Sequence, residues 1–178
     1  MPDDVCSGHP ESSRRVNNRR QFLVVLASAA GLIPVIGWLT GPSTAVSGNF
    51  PVAKSDEEWR RMLSPSQYRV LRRQATERPF TSPLNGEHRH GIFRCAGCAR
   101  DLFLSGTKFD SGTGWPSFWE PIAHAVGTSV DRSFLMVRTE AHCEGCGGHL
   151  GHVFDDGPRP TGRRYCINGA ALTFEAKL

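Results

Sequence analysis

Four of the six cysteines come as two pairs with one spacing, Cys95-Ala96-Gly97-Cys98 and Cys143-Glu144-Gly145-Cys146. Two residues between cysteines in a tight turn direct both sulfurs at one point, so the doubled pair predicts a four-thiolate zinc site. The 44 residues between the pairs exceed ordinary zinc-ribbon spacing, so the fold has to bring the two knuckles together. With Cys95, Cys98, Cys143 and Cys146 as the whole ligand set, the metal has no open position and its role is structural. A redox pair of the thioredoxin kind would open a helix in a βαβ unit, and neither pair has that setting. Structural disulfides are the other use of such cysteines, in an oxidising compartment.

The reactive chemistry is therefore sought elsewhere, and Cys166, in Arg163-Arg164-Tyr165-Cys166-Ile167-Asn168, is the nucleophile candidate. Adjacent cationic side chains favour the attacking thiolate if they face it. A lone Cys is otherwise an ordinary small apolar residue. Upstream, His149-Leu150-Gly151-His152-Val153-Phe154-Asp155-Asp156 holds two His that could line a polar pocket, pair on a metal or sit on the surface. A third stretch, Ser111-Gly112-Thr113-Gly114-Trp115-Pro116-Ser117-Phe118, reads as a glycine-rich loop whose aromatics form a pocket wall or a core plug.

These stretches need a frame. The 178 residues suffice for one domain of ordinary size with an appendage. Ser55 ahead of Asp56, Glu57 and Glu58 starts a short helix, and Ser64-Pro65-Ser66-Gln67 opens a second through Leu71 and Gln74. From Pro79 onward Gly and Pro recur every few residues, and the runs Gly91–Cys95, Ser133–Thr139 and Gly169–Glu175 predict strands. The expected class is mainly β, a β-rich α+β domain.

Four Arg against Asp3, Asp4 and Glu11 give residues 1–50 a charge of +1, and seventeen basic against fourteen acidic side chains give the rest +3. So mild a balance leaves no basic stripe, and nucleic acid is excluded as a partner. No charged residue occurs between Gln21 and Ala53, and Phe22 to Leu39 is strongly apolar. Asn18-Arg19-Arg20-Gln21-Phe22-Leu23 directly precedes it and resembles a twin-arginine export signal. The expected division is a signal and linker over residues 1–50 and a catalytic domain over 51–178, exported to the periplasm by the twin-arginine machinery. Pro34, Gly31 and Gly37 make the segment a poor membrane anchor, though its length is marginally enough to span.

Taken together, Lys108 to Phe118, His149 to Pro158 and Arg164 to Asn168, with the two knuckles, closely resemble the B-type methionine sulfoxide reductases, specific for the R epimer. The resemblance runs from about Trp59 to Phe174. It implies two antiparallel sheets with short N-terminal helices, and zinc on the side opposite the active site. It also implies Cys166 as nucleophile, Trp115, His149, His152 and Asn168 around the substrate, and Asp156, Arg164 and Phe154 in support. The implied substrate is methionine-R-sulfoxide in oxidised proteins, reduced through a cysteine sulfenic acid. Many relatives are expected to carry a resolving cysteine in the loop at residues 127–131, where this chain has Thr128 and Ser129. Recycling by an external thiol reductant, such as a thioredoxin-like protein, follows.

Overall fold

The computed structural model describes residues 48–133 and 136–177; the apolar segment and the arginine pair before it lie outside the described residues. Two capped helices lead the described residues. In α1 (Asp56–Met62) the Ser55 hydroxyl accepts from Glu58 N at 3.2 Å while the Glu58 carboxylate accepts from Ser55 N at 2.7 Å. Ser64 and Gln67 repeat this box on α2 (Pro65–Arg73), which stops at Gln74 in the left-handed region, φ 52°. Each cap satisfies amides that the first turn leaves without partners. The buried faces, Trp59 on α1 with Val70 and Leu71 on α2, roof the cysteine knuckles: a side chain at Gly97 would stand 3.5 Å from both Leu71 and Trp59. Arg72 ties this roof down, its guanidinium donating to the Cys146 carbonyl at 3.0 Å.

Two antiparallel sheets follow, as expected. The smaller has order β2-β1-β9, with β1 Gly91–Cys95, β2 Asp101–Leu104 and β9 Leu172–Ala176. The larger has order β3-β4-β8-β7-β6-β5, built from β3 Lys108–Phe109, β4 Ser117–Phe118, β5 Val126–Asp131, β6 Arg138–Cys143, β7 His149–Phe154 and β8 Arg164–Ile167. Aromatic side chains join them. Phe103 of the small sheet stacks on Phe118 of the large one with ring centroids 4.2 Å apart, and Phe93 meets Phe118 edge-on at 5.0 Å. Burying such rings removes a large apolar area from water and fixes how the sheets sit on one another.

Two strand expectations need correction. The strand placed at Ser133–Thr139 begins only at Arg138, because Asp131 turns the chain: its carboxylate accepts from Ser133 N at 2.8 Å and from the Arg138 guanidinium at 2.7 Å. Residues 132, 133, 136 and 137 thus lie outside both strands, which the alternation of residue types in that stretch did not reveal. At the other end, Gly169–Ala171 is a 3₁₀ turn and pairing starts at Leu172.

Candidate active site

Cys166 sits in the middle of the large sheet, directly across from Ser117 on β4 and from His152 on β7. Directly opposed residues point to the same face, so this register sets an imidazole beside the thiol. Gly151 is required next to them: a Cβ there would fall 2.0 Å from the Cys166 carbonyl oxygen. A cavity of about 130 Å³ opens on this face, lined by Thr76, Trp115, Arg138, Gly151, His152, Phe154, Cys166 and Asn168. A larger hollow of about 660 Å³ beside α2 contains neither thiol nor imidazole.

His149 and His152 are three apart, which in a regular strand puts them on opposite faces. The β6–β7 register shifts here: Ala141 faces Gly151 but His142 faces His149, leaving Leu150 as an extra residue. This bulge brings the two rings to 5.4 Å. On the β8 side the Leu150 carbonyl accepts from both the backbone N–H and the side-chain amide of Asn168, at 2.9 and 3.0 Å. Asn168, almost fully buried, is therefore fixed with one amide hydrogen left for the cavity it lines.

Carboxylates that sequence inspection did not single out hold both imidazoles. His149 Nδ1 lies 2.7 Å from Glu140, which also accepts from Ser129 at 2.8 Å and Gln74 at 3.2 Å. Burial works against the Glu140 charge, but the bonds from His149 and Ser129 prevail and hold its pKa below the usual carboxylate value. The other ring nitrogen of His149, Nε2, is buried without a hydrogen-bond partner. His152 Nε2 lies 2.9 Å from Asp131, which the Arg138 guanidinium also engages. Burial nonetheless lowers the His152 pKa, so its ring is neutral at pH 7.

Glu77 is a third unanticipated residue. Its backbone N–H donates to the Asn168 side chain at 2.9 Å, its carbonyl accepts from the Trp115 indole at 3.1 Å, and its carboxylate caps the amides of Gly169 and Ala170. It ties Trp115 and Asn168, two walls of one cavity, to a single point. Side chains that act through backbone bonds 38 and 91 residues away leave no local pattern to read.

Arg164 donates to Asp156 through two bonds, 2.8 and 2.9 Å, and lies over the Phe154 ring at 4.4 Å. Of the two arginines before Cys166 only this one shares its face; Arg163 falls at the other parity and is exposed. Burial pushes the Cys166 pKa above the ordinary thiol value, with Thr113 and Arg164 opposing. The expected resolving loop is elsewhere: Thr128 and Ser129 belong to β5, three strands from β8, or about 14 Å at ordinary strand spacing. The hydroxyl that does reach Cys166 is Thr113, at 3.9 Å.

The four knuckle sulfurs lie within 4.8 Å of one another, with Cys95–Cys146 at 3.7 Å and Cys98–Cys143 at 3.5 Å. A tetrahedral ion with metal–sulfur bonds of ~2.3 Å separates its sulfurs by ~3.8 Å, so the cluster fits zinc. Gly97 N and Gly145 N donate to Cys95 and Cys143, as charged thiolates require. Arg138 and Cys143 are the first and last residues of β6, which puts the cavity and the cluster at opposite ends of a strand about 17 Å long.

Residues 63–176 match the family described as the SelR domain. A peptide methionine sulfoxide reductase MsrB of Agrobacterium fabrum is 57% identical over 125 residues, covering 70% of this chain and 93% of its own. The proteins of that name from Bradyrhizobium diazoefficiens and Thiobacillus denitrificans are each 58% identical, over 71% and 70% of this chain and 91% and 95% of theirs.

Proposed function

We propose, from the premise that this chain belongs to the SelR-domain family of MsrB peptide-methionine (R)-S-oxide reductases, that Cys166 attacks the substrate sulfur and passes through a sulfenic acid. The observation that carries the reading is the register that sets Cys166 beside His152 in a small cavity walled by Trp115 and Asn168. Trp115 offers the substrate's S-methyl group an apolar wall. The remaining Asn168 amide hydrogen holds the sulfoxide oxygen, and a neutral imidazole, His152 with His149 behind it, passes a proton to it. Cys166 attacks the sulfoxide sulfur as the thiolate, its own proton having left to solvent, and the proton that the oxygen takes is drawn from water through that imidazole. The oxygen is transferred, methionine leaves reduced by two electrons, and Cys166 remains as the sulfenic acid, oxidised by two. Arg164, anchored on Asp156 and Phe154, offsets negative charge on the sulfur.

No cysteine among the described residues stands near Cys166 outside the knuckles, and taking one of those would open the cluster. An external thiol therefore condenses with the sulfenic acid to a mixed disulfide and water, and a second thiol releases Cys166. The four knuckle thiols hold zinc, which supplies no chemistry to the reaction and ties loops together.

Two measurements test this reading. With dithiothreitol, turnover is expected for the R sulfoxide and absent for the S sulfoxide. One turnover without reductant, followed by a sulfenic-acid trap and mass spectrometry, should place the adduct on Cys166 with zinc retained; an internal Cys166 disulfide with zinc loss is the outcome against it. The envelope is the proposed location, from the arginine pair and the apolar segment after it. A folded-protein export route would let the thiolates take up metal before meeting an oxidising compartment. Arg19→Lys with Arg20→Lys should accumulate in the cytoplasm, and normal periplasmic delivery of that variant would refute the signal.

A further inference from the structure

Three hydroxyls stand in a row behind Cys166. Ser117, fully buried on β4, donates to the Trp115 carbonyl at 3.1 Å and lies 2.8 Å from the Ser111 hydroxyl. Ser111 lies 2.8 Å from the Thr113 hydroxyl, which reaches Cys166 Sγ at 3.9 Å. A hydroxyl has one proton to give and two lone pairs with which to receive. Because Ser117 gives its proton to a backbone carbonyl, it accepts from Ser111; Ser111 in turn accepts from Thr113, and Thr113 accepts from the Cys166 thiol. With the sulfur protonated, the whole row points away from it.

A sulfur carrying negative charge has no proton to give. The row then meets it by turning over: Thr113 donates to the sulfur, Ser111 to Thr113 and Ser117 to Ser111, and the Trp115 carbonyl is released. Only hydroxyl hydrogens move; the oxygens keep their places. Hydrogen bonds to a charged acceptor are stronger than those between neutral groups, so the charge on the sulfur itself selects the reversed order.

We propose that Thr113, Ser111 and Ser117 form a reversible hydroxyl row that turns toward Cys166 when its sulfur becomes negative, stabilising the thiolate and fixing its position for attack. Thr113 makes the contact, and Ser111 and Ser117 are positioning residues that act through it. The proposal rests on Cys166 being the attacking sulfur. It adds a local donor to the other groups around that sulfur: Arg164 on β8 with Asp156 bonded to it, His152 on β7 with His149 beside it, and Arg138 on β6. All of these stay unchanged in the variants below.

The test is the rate of Cys166 alkylation by iodoacetamide in the zinc-loaded full chain, read on the Cys166 peptide by mass spectrometry, from about pH 6 to about pH 10 so as to bracket thiol ionisation. Thr113→Val keeps the shape and removes the donor; its profile should move to higher pH, with alkylation at pH 7 slowed roughly three- to tenfold. Thr113→Ser should restore the parent profile. Ser111→Ala should shift it in the same direction by less, and adding Ser111→Ala to Thr113→Val should change nothing further, as for groups acting through one contact. An unmoved Thr113→Val profile, a Thr113→Ser variant that fails to restore it, or additive effects of Ser111→Ala would overturn the proposal. Alkylation is read whether or not sulfoxide is turned over. A Cys166→Ser variant that still turned over would remove the nucleophile reading while leaving the alkylation result standing, so the two failures are distinguishable.

Discussion

Cys166→Ser should lose reduction of the R sulfoxide by at least about a thousandfold, since a serine hydroxyl is a far weaker nucleophile toward sulfur and leaves no sulfenic acid to recycle. The replacement is nearly isosteric at a half-buried site on β8, so thermal unfolding and metal content should match the parent. Agreement on those two controls separates lost chemistry from lost fold. Residual turnover above that level, at any dithiothreitol concentration, would refute Cys166 as the attacking group. The parent's pH dependence has a definite sign. Burial raises the Cys166 pKa, so at pH 7 most molecules hold a protonated thiol. The rate should climb with pH, by at most tenfold per unit, and level off only above the ordinary thiol range. A rate already flat through neutrality would mean that sulfur ionisation does not limit the reaction. His152 does not mask this slope, because its pKa is lowered and its ring stays neutral across the same interval.

What could be read from the sequence was local. Ser55 with Glu58 and Ser64 with Gln67 announce helices because a capping box is closed within four residues, and each helix begins where its box predicts. The CxxC spacing likewise carries its own geometry, and the fold closes the cluster across the 44 intervening residues. His149 and His152 are different. Their strand period assigns them to opposite faces, and only the extra residue at Leu150 puts both rings together. Glu140, Asp131 and Glu77 were silent for a related reason: each holds a site residue through a contact that exists only once strands are in register or distant segments are packed. Residues 127–131, where relatives are expected to carry a resolving cysteine and this chain has none, lie on β5, three strands from Cys166, a separation that only the strand order reveals. Arg163 and Arg164 look equivalent as letters, and strand parity alone gives one to Cys166 and the other to solvent.

Removing one knuckle thiol should have the second large effect, on stability rather than on chemistry. Cys95 closes β1, Cys143 closes β6 and Cys146 lies under the α2 roof, so a bound ion joins the small sheet, the large sheet and the helices at one point. Metal binding of this kind is coupled to folding, because the unfolded chain holds no preformed site. Cys143→Ser, at a fully buried position, should release the ion and cost roughly 3 kcal/mol or more, a fall of about 10 °C or more in Tm for a domain of this size. Cys98→Ser, at the half-buried member, should do the same with less disturbance of packing, which guards against a trivial packing effect at Cys143. The cavity lies at the far end of β6, so folded molecules assayed well below the melting temperature should keep most of their kcat. The measurement is metal content, about one zinc per chain before the change and none after, together with Tm and kcat on the same samples. An unchanged Tm in metal-free variants would end the structural role, and a collapse of kcat at unchanged Tm would move the cluster into the chemistry of Cys166.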